Sequence, residues 1–366
     1  MIDFRFNYPL SKSQHDILTG VFADVNAEEA NFRMAPVGGA EDDREIAAGW
    51  LSRPGHEISA DNTYIAGGGH NAMTSILLGT RLSGKVIVTD SITYNGFKAL
   101  AGMLNVTLVP CPFDDEGMLP DALEGICSQT DVKAVYLMPT IHNPLCIVMP
   151  EKRRLEIVEV ARKFDLILID DDAYGFLEPQ QPLTFAHLAP ERSFYIYSFA
   201  KPLAAGLKSS YIAAPSKWHH NLVEGIRISS SGASTLMTKL VGKLVDSGAA
   251  DRIIEEKRAE GALRQKIVSE ILEGQTYISH KNSFHLWIPL APDMNVTAFE
   301  GVLKNAGVEV VTSLAYQVEK DSGNNGFRVS LGNVESHSQI RTGLEIIAEA
   351  LRKRYPIKST PIPPQA

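Results

Sequence analysis

The stretch Phe194–Lys208 reads FYIYSFAKPLAAGLK. Its first four residues form an apolar, β-rich run, and the chain leaves that run through Ser198, Lys201 and Lys208. A lysine that leaves a buried strand with a serine three residues before it and a second cation seven residues after it can combine covalent carbonyl chemistry with phosphate binding. Taken alone, the same residues also describe an exposed turn. The reading therefore depends on what the rest of the chain supplies.

Outward from this stretch, residues 60 to 215 alternate short β-branched runs with longer amphipathic ones. Strands are expected at Lys85–Thr89, Val106–Pro110, Ala134–Met138, Leu166–Ile169, Phe194–Tyr197 and Ser210–Ala214. Several are apolar throughout, as strands covered on both faces are. Between them, Pro150 followed by EKRRLEIVEVARKF starts a helix that places Leu155, Val158 and Ala161 on one stripe. Repeated strand–helix–strand order implies an α/β fold with a mostly parallel central sheet and helices on both faces.

Beyond residue 255 the texture changes to a smaller α+β domain. It has helices at Glu255–Glu273, Val296–Ala306 and Ser338–Lys353, and strands at Ser283–Leu290, Val308–Val311 and Phe327–Leu331. The expected division is an N-terminal arm with part of the small domain at 1–44, a large domain at 45–255, the small domain at 256–355, and a disordered tail at 356–366. Composition bounds the function. A net charge of −8 argues against broad nucleic-acid binding, which needs a basic face. No run approaches the ~20 apolar residues of a membrane span, and MIDFRFNYPL places charges where a signal peptide is apolar. A cytoplasmic protein is expected. Cys111, Cys127 and Cys146 lack close pairs, which fits reduced thiols better than disulfides or a metal site.

In parallel sheets, ligands bind beyond the carboxyl ends of the strands, so the polar residues there carry the chemistry. Asp170, Asp171 and Asp172 end one strand, with Tyr174 beyond. Three carboxylates could hold magnesium for phosphoryl transfer, but no GxxxxGK[ST] loop accompanies them. A carboxylate that keeps a pyridine nitrogen protonated fits better, because the ring then acts as an electron sink. PTIHNPLC places Asn143 after another strand, where an amide can donate to a ring oxygen. The cluster Gly67-Gly68-Gly69-His70 opens a helix expected over Ala72–Thr80, and free amides there suit a phosphate. Tyr94, after KVIVT, offers a ring for stacking. Arg328, inside the apolar strand of FRVS, calls for an anion and matches a substrate carboxylate. Each of these, taken singly, also fits an ordinary turn, core residue or salt bridge.

Together and in order, AGGGHNA, DSITYNG, DDEGMLPDAL, PTIHNP, IDDDAYG, SFAKPLAAGLK and FRVSLG resemble the fold-type I pyridoxal-phosphate enzymes of the class I/II aminotransferase family, over residues 31 to 353. The chain is also similar to the aminotransferase-like half of MocR-type regulators, and their amino-terminal DNA-binding domain is not expected within it. The resemblance implies that Lys201 links pyridoxal 5′-phosphate and shuttles the proton. It assigns Asp171 to the pyridine nitrogen, and Asn143 and Tyr174 to the ring oxygen. Tyr94 would stack on the ring; Gly69, His70, Ser198 and Lys208 would hold the phosphate; and Arg328, with Asn143, would bind the substrate. It further implies a homodimer in which Ser234 or Thr235 of one copy reaches the other's phosphate.

Some positions depart from the family pattern. Lys208 stands where arginine is usual, Met34 where a tyrosine is common, and Ala200 and Ser210 where serine and glycine are more frequent. The expected reaction is transfer of an amino group between an α-amino acid and a 2-oxo acid. β-Elimination, decarboxylation or oxidation at the same site, and a non-catalytic sensing module, are the alternatives. Side-chain choice is expected to rest on early residues such as Asn7, Tyr8 and Phe32 and on the partner subunit. His285 and Trp287, in a core strand, receive no role.

Overall fold

The computed structural model describes residues 1–26, 28–319 and 323–354. The tail expected at 356–366 lies outside the described residues. A seven-stranded sheet runs in the order Thr63–Ala66, Ser210–Ala213, Ser193–Ser198, Ile167–Asp172, Val132–Leu137, Val86–Asp90, Thr107–Cys111. The last five pair in parallel, whereas Ser210–Ala213 runs antiparallel to both of its neighbours. The strand Thr63–Ala66 was not among the expected strands. Its four residues run straight into Gly67, too short a pattern to read, and its pairing with Ser210–Ala213 is what defines it.

Alternation along the strands feeds two separate cores. Ile87, Ala134, Tyr136 and Ile169 enter one, with the helices Gly69–Gly79, His219–Ser230 and Thr235–Asp246. Val88, Val135, Leu137 and Leu168 enter the other, with Pro120–Gln129 and Glu151–Lys163. Both faces of the sheet are therefore covered. A four-stranded antiparallel sheet, ordered Ile278–Ser279, His285–Pro289, Gly326–Ser330, Val311–Thr312, makes the smaller layer. Its core includes Leu286, Ile288, Phe327 and Val329 against the closing helix His337–Arg354, and Phe4 joins it from the chain start. Ile2–Asp3 pairs in parallel with Val308–Glu309.

Several expectations need correction. The single strand expected at Val308–Val311 divides at Val310, so that Val308–Glu309 and Val311–Thr312 join different sheets. The helix expected from Glu255 begins at Ala249, because Gly248 in the left-handed region turns the chain into it. Leu155 does not share the buried stripe of its helix; it is 43% exposed. The stripe is Arg154, Ile157, Val158 and Ala161, one position away and at i, i+3, i+4, i+7 spacing. A buried arginine is tolerated there because its guanidinium donates to Met149 O, Leu183 O, Pro139 O and Thr140 Oγ1.

The helix expected over Ala72–Thr80 starts at Gly69, so the glycine cluster is itself the helix entrance. Its far end is locked against the helix His219–Ser230. A Cβ on Gly225 would sit 2.3 Å from Ser75 O, and one on Gly79 2.6 Å from Asn221 O. The two backbones touch, which fixes the direction in which the glycine entrance points. We expect Gly225→Ala to lower the unfolding free energy by about 1–3 kcal/mol through this overpacking, read as a lower urea midpoint at unchanged slope.

Candidate active site

A cleft of ≈ 490 Å³ opens at the carboxyl ends of the parallel strands, where the chain steps from Val86–Asp90 to either side of the sheet. Gly69, His70, Tyr94, Asn143, Asp171, Tyr174, Ser198, Lys201, Lys208 and Arg328 all line it. These ten residues, named from the sequence for the cofactor or the substrate, are thus brought to one place. The N-terminal residues Arg5, Phe6, Asn7 and Tyr8 close one wall, and Val311 and Arg328 belong to the smaller sheet.

One end of the cleft is an anion cradle. Gly68 caps the glycine helix at φ 95, a conformation that side chains rarely adopt, with no side-chain cap. Among the described residues, the amides of Gly69, His70 and Asn71 have no acceptor, as the first turn of a helix requires unless a ligand supplies one. A Cβ on Gly69 would meet Ser198 Cβ at 3.4 Å, and one on Gly68 would meet Lys208 Cα at 3.6 Å. Helix entrance, serine and lysine therefore adjoin. Asn71 Oδ1 accepts from Gly67 N at 2.8 Å and holds the approach to the turn.

Lys201 projects into the middle. Its Nζ donates to Asn7 O at 2.7 Å and lies 3.5 Å from the centre of the Tyr8 ring. Burial pulls the amine down to about 7, with repulsion from Arg328 and Lys208 adding to the effect and Asp171 opposing it. A lysine so placed carries a large share of free base at neutral pH, the state a nucleophile needs.

Strand geometry sorts the three aspartates. Successive side chains point to opposite faces, so Asp170 and Asp172 face away from the cleft while Asp171 enters it. Asp172 accepts from Tyr195 Oη at 2.6 Å, Gln181 Nε2 at 2.5 Å and Gly175 N at 2.7 Å. Asp170 accepts from Phe185 N at 3.1 Å. Asp171 Oδ2 accepts from Tyr136 Oη at 2.7 Å, and the Tyr136 ring stacks on Phe97 at 3.5 Å. Burial lifts Asp171 to about 6, against the Tyr136 hydrogen bond that lowers it. A cation brought to this carboxylate reverses the penalty.

Arg328 connects the smaller sheet to the site. Nη1 donates to Asn143 Oδ1 at 2.8 Å, Nη2 to Arg5 O at 2.5 Å, and Nε has no partner. Because arginine can only donate, this bond fixes the Asn143 amide with its NH₂ free to donate elsewhere. Tyr174 is buried and its hydroxyl is pushed up to about 12 by that burial.

Some residues that contact this site received no role from the sequence. His285 Nε2 meets His142 O at 3.2 Å, which leaves Nδ1 to accept from Asn7 Nδ2 at 3.3 Å. Its ring also lies 5.0 Å from that of Tyr174. Its own strand reads as core, and only the fold places it behind Asn7. Tyr136 reads as a core residue for the same reason. Of the early residues, Asn7 and Tyr8 line the cleft, whereas Phe32 is 62% exposed and does not. Met34 is 88% exposed, and Thr235 Oγ1 is engaged within the chain by Arg33 O and Ala35 N. Ser234 caps its helix, accepting from Met237 N at 3.5 Å.

In protein freed of bound small molecules, we expect Lys201 to react with trinitrobenzenesulfonate along a pH curve centred at about 7 rather than at the usual 10.5. Arg328→Gln should move that midpoint upward, because a positive charge that disfavours the ammonium is removed. Mass spectrometry of the Lys201 peptide reads both curves.

The structure resembles kynurenine aminotransferase of Pyrococcus horikoshii with a TM-score of 0.88 at 22% identity, covering 97% of this chain and 91% of that one, which establishes the fold. By sequence, the chain is 27% identical over 308 residues to the HTH-type transcriptional regulator YdeF of Bacillus subtilis, covering 84% of this chain and 67% of YdeF. It is 28% identical over 286 residues to aromatic-amino-acid aminotransferase 1 of Thermococcus litoralis, covering 74% of this chain and 67% of that enzyme. The chain spans about two thirds or less of the length of YdeF and two further HTH-type regulators. The family model for aminotransferase class I and II matches residues 1–347, and with this site geometry the chain belongs to that family.

Proposed function

We propose that this protein is a pyridoxal-phosphate-dependent aminotransferase that moves an amino group between an α-amino acid and a 2-oxo acid. The observation that carries this reading is Lys201, whose amine is drawn to about 7 in a cleft that also holds Asp171, an open helix entrance and Arg328. The residues fit the cofactor. The Gly69 and His70 amides with Ser198 and Lys208 would hold its phosphate, and Asp171 its pyridine nitrogen. The Asn143 amide and Tyr174 hydroxyl would hold its ring oxygen, and Tyr94 would lie against the ring.

Bound there, pyridoxal phosphate supplies an electrophilic carbon and an electron sink for charge that develops at the substrate α-carbon. The protein does the rest. Lys201 Nζ, as free base, takes the proton from the α-carbon and returns it, and a value of about 7 suits both directions. Asp171, kept in place by Tyr136, favours a protonated ring nitrogen beside it. Arg328 lines the cleft from the smaller sheet and would meet the substrate carboxylate, which sets the α-carbon relative to Lys201. The buried floor of Tyr174, Asn143 and Asp171 excludes water from the reacting atoms.

The similarity to an aromatic-amino-acid aminotransferase and to a kynurenine aminotransferase crystallised with PMP supports this reading. The likeness to YdeF favours a second one, a site that binds the cofactor and an effector without turning over. A homodimer belongs to the proposal. Exposed Phe32 and Met34, on the segment pinned by Thr235, offer apolar surface for a second copy. Three free cysteines support a reducing, cytoplasmic setting, and no described helix is long and apolar enough to cross a membrane.

Borohydride reduction after loading with pyridoxal phosphate should leave a phosphopyridoxyl group on the Lys201 peptide. Lys201→Ala should lose that group and about 10²–10⁴-fold or more of the turnover. An amino-acid panel read by cofactor absorbance separates the reactions. Transamination yields pyridoxamine phosphate and a keto acid, elimination or decarboxylation returns pyridoxal phosphate, and a sensor gives neither.

A further inference from the structure

Lys257 lies on the helix Ala249–Ile271 and is fully buried, in line with Ile253, Ile254, Gly261 and Arg264 on the face turned to the protein. Its Nζ donates to Lys201 O at 3.0 Å and to Leu203 O at 2.9 Å. No carboxylate pairs with it among the described residues. The charged groups around it on the same helix are engaged elsewhere: Glu256 by Ser13, Arg258 by Phe176 O, and Glu260 by Arg264 and His337.

The turn Phe199–Leu203 explains why a lysine belongs here. Leu203 N and Ala204 N both donate to Phe199 O, so they are not available to the later carbonyls of the turn. Pro202 has no N–H to offer. Among the described residues no backbone amide reaches Lys201 O or Leu203 O, and both would be buried without a donor but for Lys257. The ε-amine is long enough to bridge from the helix and has the two donors that the turn lacks.

We propose that Lys257 is the positioning residue of the active site: by clasping the carbonyls on Lys201 and Leu203 it sets where the Lys201 side chain leaves the turn and thereby where its amine sits in the cleft. It touches neither substrate nor cofactor and acts only through Lys201. The inference rests on the reading of the cleft as a cofactor site. The same placement has a secondary electrostatic effect. Besides Lys257, the groups that act on the Lys201 amine are Arg328 and Lys208, which repel the ammonium, and Asp171, which favours it, with the rings of Tyr8 and Tyr174 alongside. Lys257 adds to the repulsion, and burial draws its own amine down to about 7 as well.

The test compares full-length wild type with Lys257→Met, which keeps the length of the side chain and removes its donors. Three readouts are used: the pH midpoint of the visible absorbance of the Lys201-linked cofactor, the rate at which added pyridoxal phosphate is captured by the apoprotein, and kcat against KM for an amino acid. The expected result is a midpoint displaced upward by about half a unit to one unit, capture slowed by about tenfold or more, and a fall in kcat with KM within about twofold. Wild-type values for midpoint and capture would overturn the proposal. Should Lys257→Met fail to fold, Lys257→Gln, which is shorter and uncharged, is read in the same way. A displaced midpoint with slowed capture supports the proposal and wild-type values overturn it. If both variants fail to fold, the clasp serves stability rather than the placement of Lys201, and the proposal is withdrawn. Wild-type protein that captures no pyridoxal phosphate sinks the cofactor reading itself, a result distinguishable from failure of the Lys257 role.

Discussion

The organising constraint is the cost of holding an ammonium group away from water. Lys201 sits in a cleft where its amine meets a carbonyl and two aromatic rings, three other cations repel it and Asp171 attracts it, and desolvation is the largest influence on it. A buried charge without a paired partner costs several kcal/mol, so the amine gives up its proton more readily than an ordinary lysine. In the proposed function, that one penalty is what suits a common side chain to act as nucleophile and base near neutral pH. The surrounding architecture serves to maintain it. The turn carrying Lys201 is set against the helix Ala249–Ile271, the N-terminal segment covers the cleft at Asn7 and Tyr8, and the smaller sheet adds the Arg328 charge.

The aspartates obey the same constraint. Asp172 is satisfied on the far side of the sheet by Tyr195, Gln181 and the Gly175 amide, and Asp170 accepts one bond there from the Phe185 amide, near the buried Arg154. Asp171 faces the other way with one tyrosine as donor, and it keeps a share of its burial penalty for a ligand to relieve. Two buried groups of opposite kind, Lys201 and Asp171, are thus both held away from their usual protonation behaviour in one cleft. Such pairs mark sites where chemistry takes place.

Most of the site was legible because parallel sheets collect function at strand ends. Reading Ser198, Asn143, Tyr94 and the aspartate run required only the recognition of four strands and of the polar residues at their carboxyl ends, and the family resemblance named Asp171 within that run. The glycine cluster was legible as a candidate phosphate cradle, although Gly69 belongs to the helix and Gly68 caps it, rather than all three glycines preceding it. Legibility failed where a residue's role comes from another layer. His285 orients Asn7 across 278 residues of sequence, and Lys257 reaches Lys201 across 56. Neither has a local pattern that separates it from a core or surface position. Leu155 failed for a related reason: hydropathy preferred leucine to arginine for the buried stripe, and only the four acceptors around Arg154 make the arginine the better occupant.

By itself the sequence determined the α/β order, the family motifs and the lysine proposed as nucleophile, because strand periodicity and strand-end residues are local properties of the chain. Tertiary structure alone decided which donors each of the three adjacent carboxylates meets, which way the Asn143 amide points, and how far the Lys201 amine departs from an ordinary lysine. These depend on burial, on donors supplied from distant segments and on the distance between charges, none of which exists until the sheets and helices have packed.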